Sequence, residues 1–140
     1  MTANAIRVAV GLGCDRGTPL ATVERALREA LAMAALGDSA VAVLATIDAK
    51  ADEAAFIDLA ARHRWPLRFY SAAALSAVAV PNPSETVRRH MGTPSVSEAA
   101  ALLAAAGEAC ALLVEKHKHR GTDGKHATVS LARISSPPTP

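Results

Sequence analysis

The stretch VAVGLGCDRGTPL, Val8 to Leu20, decides the fold. Ile6–Gly11 is a short apolar run that reads as a buried strand. Glycines stand at 11, 13 and 17. Thr18 and Pro19 then suit the cap and the first position of a helix. Leu20, Val23, Leu27, Ala30, Leu31 and Ala34 recur at helical spacing, and Gly37 stands where that helix should end. A strand that turns through glycines into a helix is the opening unit of an α/β fold.

Working outward, Ala40–Thr46 is a second strand, apolar on both faces as a parallel sheet requires. A helix from about Ala51 to His63 places Phe56, Leu59 and Ala60 inward, and Pro66 stops it. Leu67–Tyr70 is a short third strand. Ser71–Val80 reads as a short helix or loop, interrupted by Pro81 and Pro83. TPSVSEAAALLAAAG is a helix with a Ser95/Glu98 capping box and Gly107 at its end. Ala109–Val114 is a fourth strand, Lys116–Lys125 a polar turn, and Ala127–Ile134 an alternating strand that suits a hairpin with the fourth. The expectation is one three-layer α/β/α domain over residues 1–134. Its five-stranded sheet is mixed but mostly parallel, with the last strand antiparallel. The tail SSPPTP, 135–140, is expected to be disordered.

Composition narrows the function classes. The chain has 140 residues, 51% hydrophobic and only 3% aromatic, with a net charge of +2. So small a charge, with few aromatics for stacking, argues against a nucleic-acid partner. No apolar run reaches the roughly 18 residues of a membrane span, so no membrane partner is expected. MTANAIRVAV lacks the pattern of a signal peptide, and a cytoplasmic protein is expected. Cys14 and Cys110 fall at opposite ends of parallel strands, roughly 15 Å apart at about 3.3 Å per residue, so a disulfide between them is not expected. Neither a cofactor nor a metal is expected.

Ligands of open α/β sheets bind beyond the carboxyl ends of the strands. Three polar segments follow strands there: GLGCDRGT, TIDAKADE and EKHKHRGTDGK. Gly11, Gly13 and Gly17 let backbone N–H groups approach a ligand, and a helix start favours an anion. Their spacing departs from the dinucleotide fingerprint, and no phosphate-loop lysine follows. A nucleotide- or phosphate-binding domain is therefore the weaker alternative. Arg16 can grip a carboxylate. Cys14, beside Arg16 at a helix start, sits where a thiolate is favoured and is a candidate nucleophile. Asp48, Lys50, Asp52 and Glu53 gather at the next strand end, with Asp48 or Asp52 also suited to cap the helix. Asp48 or Glu53 is the candidate base and Lys50 the candidate oxyanion partner. Thr46, Thr93 and Ser95 offer hydroxyls. Lys116 and Lys118 offer cations to a polyanion. His117 and His119 share a strand face, but with His126 they lack the acid or cysteine that would complete a metal set.

In this order the motifs resemble a known family. GLGCDRGT, TIDAKADE, GTPSVSEAAAL and ATVSLARI are similar to the segments of the cobalamin-biosynthesis family of CobE and the C-terminal domain of CbiG. The similarity runs from about Ile6 to Ile134. Asp15 stands where that family commonly has a basic residue, and Met91 where it has valine. The resemblance is to the free-standing form. It implies a three-layer α/β/α fold and a precorrin tetrapyrrole as ligand, with other cobalamin-pathway enzymes as partners. It further implies either hydrolysis of the ring-A lactone with loss of a two-carbon fragment, or a non-catalytic carrier of a corrin intermediate.

Overall fold

The computed structural model describes residues 6–78, 96–106 and 111–134. Five strands form one sheet: β1 (Val8–Cys14), β2 (Val41–Ile47), β3 (Leu67–Tyr70), β4 (Leu112–Arg120) and β5 (His126–Arg133). Their order is β3-β2-β1-β5-β4. β1 pairs in parallel with β2, and β2 with β3; β5 pairs antiparallel with both β1 and β4. Four strands therefore point one way and β5 runs against them, as the sequence pattern implies.

Helices cover both faces. On one lie α1 (Leu20–Met33) and α2 (Ala54–His63), whose inner residues Val23, Leu27, Phe56 and Leu59 pack with Val10, Leu12, Leu44 and Leu131. On the other lie α3 (Ala72–Ser76) and α4 (Val96–Ala105), where alanines carry most of the contact. Burying each of the larger aliphatic side chains contributes roughly 1.5–3 kcal/mol. A core with so few aromatics rests on these residues.

Several local expectations change. β1 continues to Cys14, so Gly11 and Gly13 belong to the strand and not to a loop. A β-carbon at Gly11 would overlap the Ser97 carbonyl and lie 2.9 Å from the Ala101 nitrogen. The glycine is there because α4 crosses directly over it. Thr18 does not cap α1; Pro19 occupies that position with no side-chain cap. α1 closes through Ala35 in the left-handed region, φ 58°, while the Leu36 N–H donates to the Leu31 carbonyl at 2.8 Å. Gly37 instead precedes a single 3-10 turn, Asp38–Ala40. α2 begins at Ala54 with Glu53 before it, and neither Asp48 nor Asp52 caps it.

The first half of the expected polar turn at Lys116–Lys125 is strand. β4 runs through Lys116–Arg120, and only 121–125 turn. Alternation explains how so polar a segment is an edge strand. His117 and His119 face α1, while charged residues on an exposed edge discourage pairing with another chain. Ser71 caps α3 by accepting the Ala74 N–H at 3.1 Å. Ser95 and Gly107, the proposed ends of α4, lie outside the described residues, as do Thr93, Cys110 and the tail.

Candidate functional site at the carboxyl edge of the sheet

Three polar segments meet beyond the carboxyl ends of β1 and β2 and at the β4–β5 turn. The first is the turn from Cys14 to Thr18. The Asp15 N–H donates to the His126 carbonyl at 3.1 Å, and the His126 N–H donates to Asp15 Oδ2 at 2.8 Å. The Thr18 hydroxyl donates to the Asp15 carbonyl at 2.6 Å. Gly17 has φ 79°, a left-handed conformation that glycine adopts without strain.

The second segment follows β2 as a 3-10 turn, Asp48–Lys50, leading into Glu53. Arg16 reaches across to it. Its Nη1 lies 2.8 Å from Asp52 Oδ1 and 3.3 Å from Glu53 Oε1, and its Nη2 donates to the Ala49 carbonyl at 3.1 Å. The Gly17 N–H donates to Glu53 Oε2 at 3.0 Å. Lys50 Nζ is 3.8 Å from Glu53 Oε1. The two turns are thus joined through one buried carboxylate.

The third segment is the hairpin turn 121–125. The Gly121 N–H donates to the Lys125 carbonyl at 2.8 Å, and Lys125 Nζ lies 3.4 Å from the Gly17 carbonyl. This turn leans on the Cys14–Thr18 turn and not on solvent alone.

Electrostatics follow from these contacts. Burial pushes the Cys14 thiol up to about 11, against a weaker opposite pull from Lys50. The helix-start and arginine environment that favours a thiolate in sequence is therefore outweighed by desolvation, and Arg16 is directed at Asp52 and Glu53. The His126 backbone N–H holds the Asp15 carboxyl below its ordinary range. The Arg16 guanidinium does the same for Asp52, and Asp52 in turn raises Arg16.

Of the sequence candidates, Cys14, Arg16, Gly17, Lys50 and Glu53 come together. Gly13 borders them; a β-carbon there would meet nothing nearer than Thr128 Cβ at 3.8 Å. Asp48 is exposed at the rim. Thr46 lies fully buried and donates to the Leu12 carbonyl at 2.8 Å, so its hydroxyl ties β2 to β1. Gly11 is sealed beneath α4. Lys118 lies in register with Thr128, itself opposite Gly13, and so shares their row of the sheet. Lys116 sits two positions back along β4.

His117 and His119 do share a face. Both turn to Glu29 on α1, at 2.8 and 3.5 Å from its Oε1, while His126 goes to Asp15. Among the described residues no group of three His, Cys, Asp or Glu has the geometry to hold a metal ion. Nor is any helix among them long and apolar enough to cross a membrane. Sequence reasoning missed Asp15, Thr18 and Lys125 as the residues that join the hairpin to the glycine turn. The one signal was Asp15, an acid where the family resemblance leads one to expect a base.

The family described as Cobalamin synthesis G C-terminus matches residues 8–132. The chain is 39% identical over 125 residues to Protein CobE from Sinorhizobium sp, covering 88% of this chain and 77% of that protein. It is 33% identical over 127 residues to a cobalt-precorrin-5A hydrolase from Priestia megaterium, covering 91% of this chain but 32% of that protein. The chain thus spans about a third of the hydrolase's length. Among solved structures, CobE, a protein of the cobalamin biosynthetic pathway, superposes with a TM-score of 0.75 at 29% identity, over 95% of this chain and 94% of that one. Cobalamin biosynthesis protein chiG from Agrobacterium tumefaciens gives 0.65 at 32% identity, over 92% and 99%.

Proposed function

The chain belongs to the cobalamin synthesis G C-terminal family and is a cobalamin-biosynthesis protein of the CobE and CbiG C-terminal kind; from that premise we propose that it binds a precorrin-type tetrapyrrole at the carboxyl edge of its sheet. The observation that carries this reading is the meeting of three polar turns through Arg16, Glu53 and Asp15. A precorrin has an apolar macrocycle ringed by acetate and propionate groups. It calls for cations at the rim and polar donors within. Lys125 reaches the Gly17 carbonyl, Lys118 is exposed on β4, and Lys50 lies beside Glu53.

A hydrolytic reading is favoured by one further observation. Glu53 Oε1 accepts no hydrogen bond although buried, and it faces the Lys50 ammonium. In that reading water adds to the lactone carbonyl carbon and the ring C–O bond breaks. Glu53 takes the water proton and passes it to the departing alkoxide, while Lys50 faces the oxyanion. The products are one carboxylic acid and one alcohol. Cys14 has no part in this route, because its thiol is held protonated at neutral pH.

Isothermal titration with cobyrinic acid, a corrin bearing free carboxylates, tests the binding step. Saturable binding is expected, weakened about tenfold by Arg16→Ala or Lys50→Ala, each of which removes a charge-assisted contact. Binding of ATP or NAD with no response to the corrin would overturn the reading. Incubation with cobalt-precorrin-5A, followed by mass spectrometry, separates the two roles. Gain of water marks a hydrolase, and binding with unchanged mass marks a carrier.

A further inference from the structure

We propose that Asp52 is an internal stand-in for a ligand carboxylate: it occupies the Arg16 guanidinium and yields that place to one carboxylate of a polycarboxylic ligand. The proposal rests on the tetrapyrrole-binding reading and names the point of that site where a carboxylate is exchanged. The guanidinium is fixed from within by two acceptors. Its Nη2 donates to the Ala49 carbonyl at 3.1 Å. Its Nη1 lies 3.3 Å from Glu53 Oε1, on a side chain only 4% exposed. The third contact comes from the solvent side. Asp52 Oδ1 is 2.8 Å from Nη1, with the Asp52 side chain 81% and that of Arg16 59% exposed.

Charge balance says which partner gives way. Arg16 and Lys50 face Asp52 and Glu53, two cations against two carboxylates. A third carboxylate at Arg16 would leave one negative charge without a partner, so one of the two must withdraw. Glu53 is buried and accepts the Gly17 N–H at 3.0 Å. Asp52 is exposed, in the turn before α2, with water to turn into. An exposed ion pair of this kind adds little stability and is screened by salt. Its withdrawal leaves the Ala49 and Glu53 contacts in place and frees a guanidinium that is already aimed. A lone anion competes for Arg16 against a carboxylate that the fold keeps close by. A ligand with several carboxylates, once held by one, presents the next at high effective concentration. Asp52 therefore selects polycarboxylates over single anions.

Asp52→Ala removes the competitor at an exposed position, where no packing is lost. Isothermal titration at fixed ionic strength should show cobyrinic acid binding Asp52→Ala about two- to fivefold more tightly than wild type. In an Arg16→Met background the same substitution should change nothing. Asp58→Ala, which removes an equal charge from the exposed face of α2, should bind as wild type does. Inorganic sulfate, read as a thermal shift, should act through Arg16 in Asp52→Ala and not in wild type. Equal or weaker corrin binding by Asp52→Ala would overturn the proposal. So would the same gain in Asp58→Ala, a gain that survives Arg16→Met, or an Arg16-dependent sulfate effect of equal size in wild type. If sulfate behaves as expected while no variant binds cobyrinic acid, the tetrapyrrole reading fails and the competition at Arg16 stands.

Discussion

Gly11 and Gly17 lie six residues apart in one glycine-rich stretch, yet they answer to different demands. Gly11 is in the middle of β1, where α4 rests its backbone on the strand. Gly17 is in the turn, with a left-handed φ and an N–H given to Glu53. The first glycine makes room for packing and the second gives the backbone a conformation. The border between fold and site therefore runs through the motif itself, close to Cys14.

The largest effect expected from breaking this comparison is at Gly11. Gly11→Ala puts a β-carbon into the backbone of α4 and should cost about 3 kcal/mol or more, read by urea denaturation. A loss below 1 kcal/mol would mean that α4 can lift off β1 at little cost. Gly17→Ala should cost less, roughly 1–2 kcal/mol for the left-handed conformation. Its new methyl would meet only the Lys125 ammonium, at 3.1 Å, which can swing away. Corrin binding should fall more than stability does, because the Gly17 N–H sets the position of Glu53. Equal stability losses at the two glycines would erase the distinction.

Asp15 sharpens the comparison from the side of the turn. Asp15→Ala should cost about 1 kcal/mol, a modest figure because the carboxylate is largely exposed. Its folded-state pKa lies below the ordinary 3.8. The contribution is therefore fully present above that ordinary value and fades as pH falls through the lower folded value. Wild type and Asp15→Ala should converge in stability at strongly acidic pH; a constant difference across the range would assign the effect to something other than the charge.

The smallest effect concerns Cys14. With its thiol pushed up to about 11, alkylation by iodoacetamide at pH 7.5–8 should be far slower than for an ordinary thiol and should rise steeply in alkali. A Cys110→Ser background follows Cys14 alone. Fast alkylation at neutral pH would restore the nucleophile reading.

Much of the fold was legible because it is written in local periodicity. Strands β1 to β3, helices α1 and α2 and the β4–β5 hairpin all show as apolar runs at helical or sheet spacing. What escaped depends on contacts distant in sequence. Nothing near Gly11 announces that α4 will cross it. Lys116–Arg120 reads as a turn because its side chains are polar, yet α1 supplies Glu29 to His117 and His119 and the edge strand stands. Thr18 has the composition of a cap, but its hydroxyl goes to the Asp15 carbonyl. For the site, the meeting of the polar segments was legible from the rule that ligands sit at strand carboxyl ends. Which partner each charge would take was not, since Arg16, Asp52 and Glu53 are matched only once two turns face each other.

Backbone amide chemical-shift mapping during titration with cobyrinic acid tests the central claim most directly. Saturable shifts are expected at Cys14–Thr18, Lys50–Glu53 and Gly121–His126, with Gly11 and the α1–α2 face nearly silent. Shifts centred on the outer faces of α1 and α2, or none at saturating ligand, would contradict it.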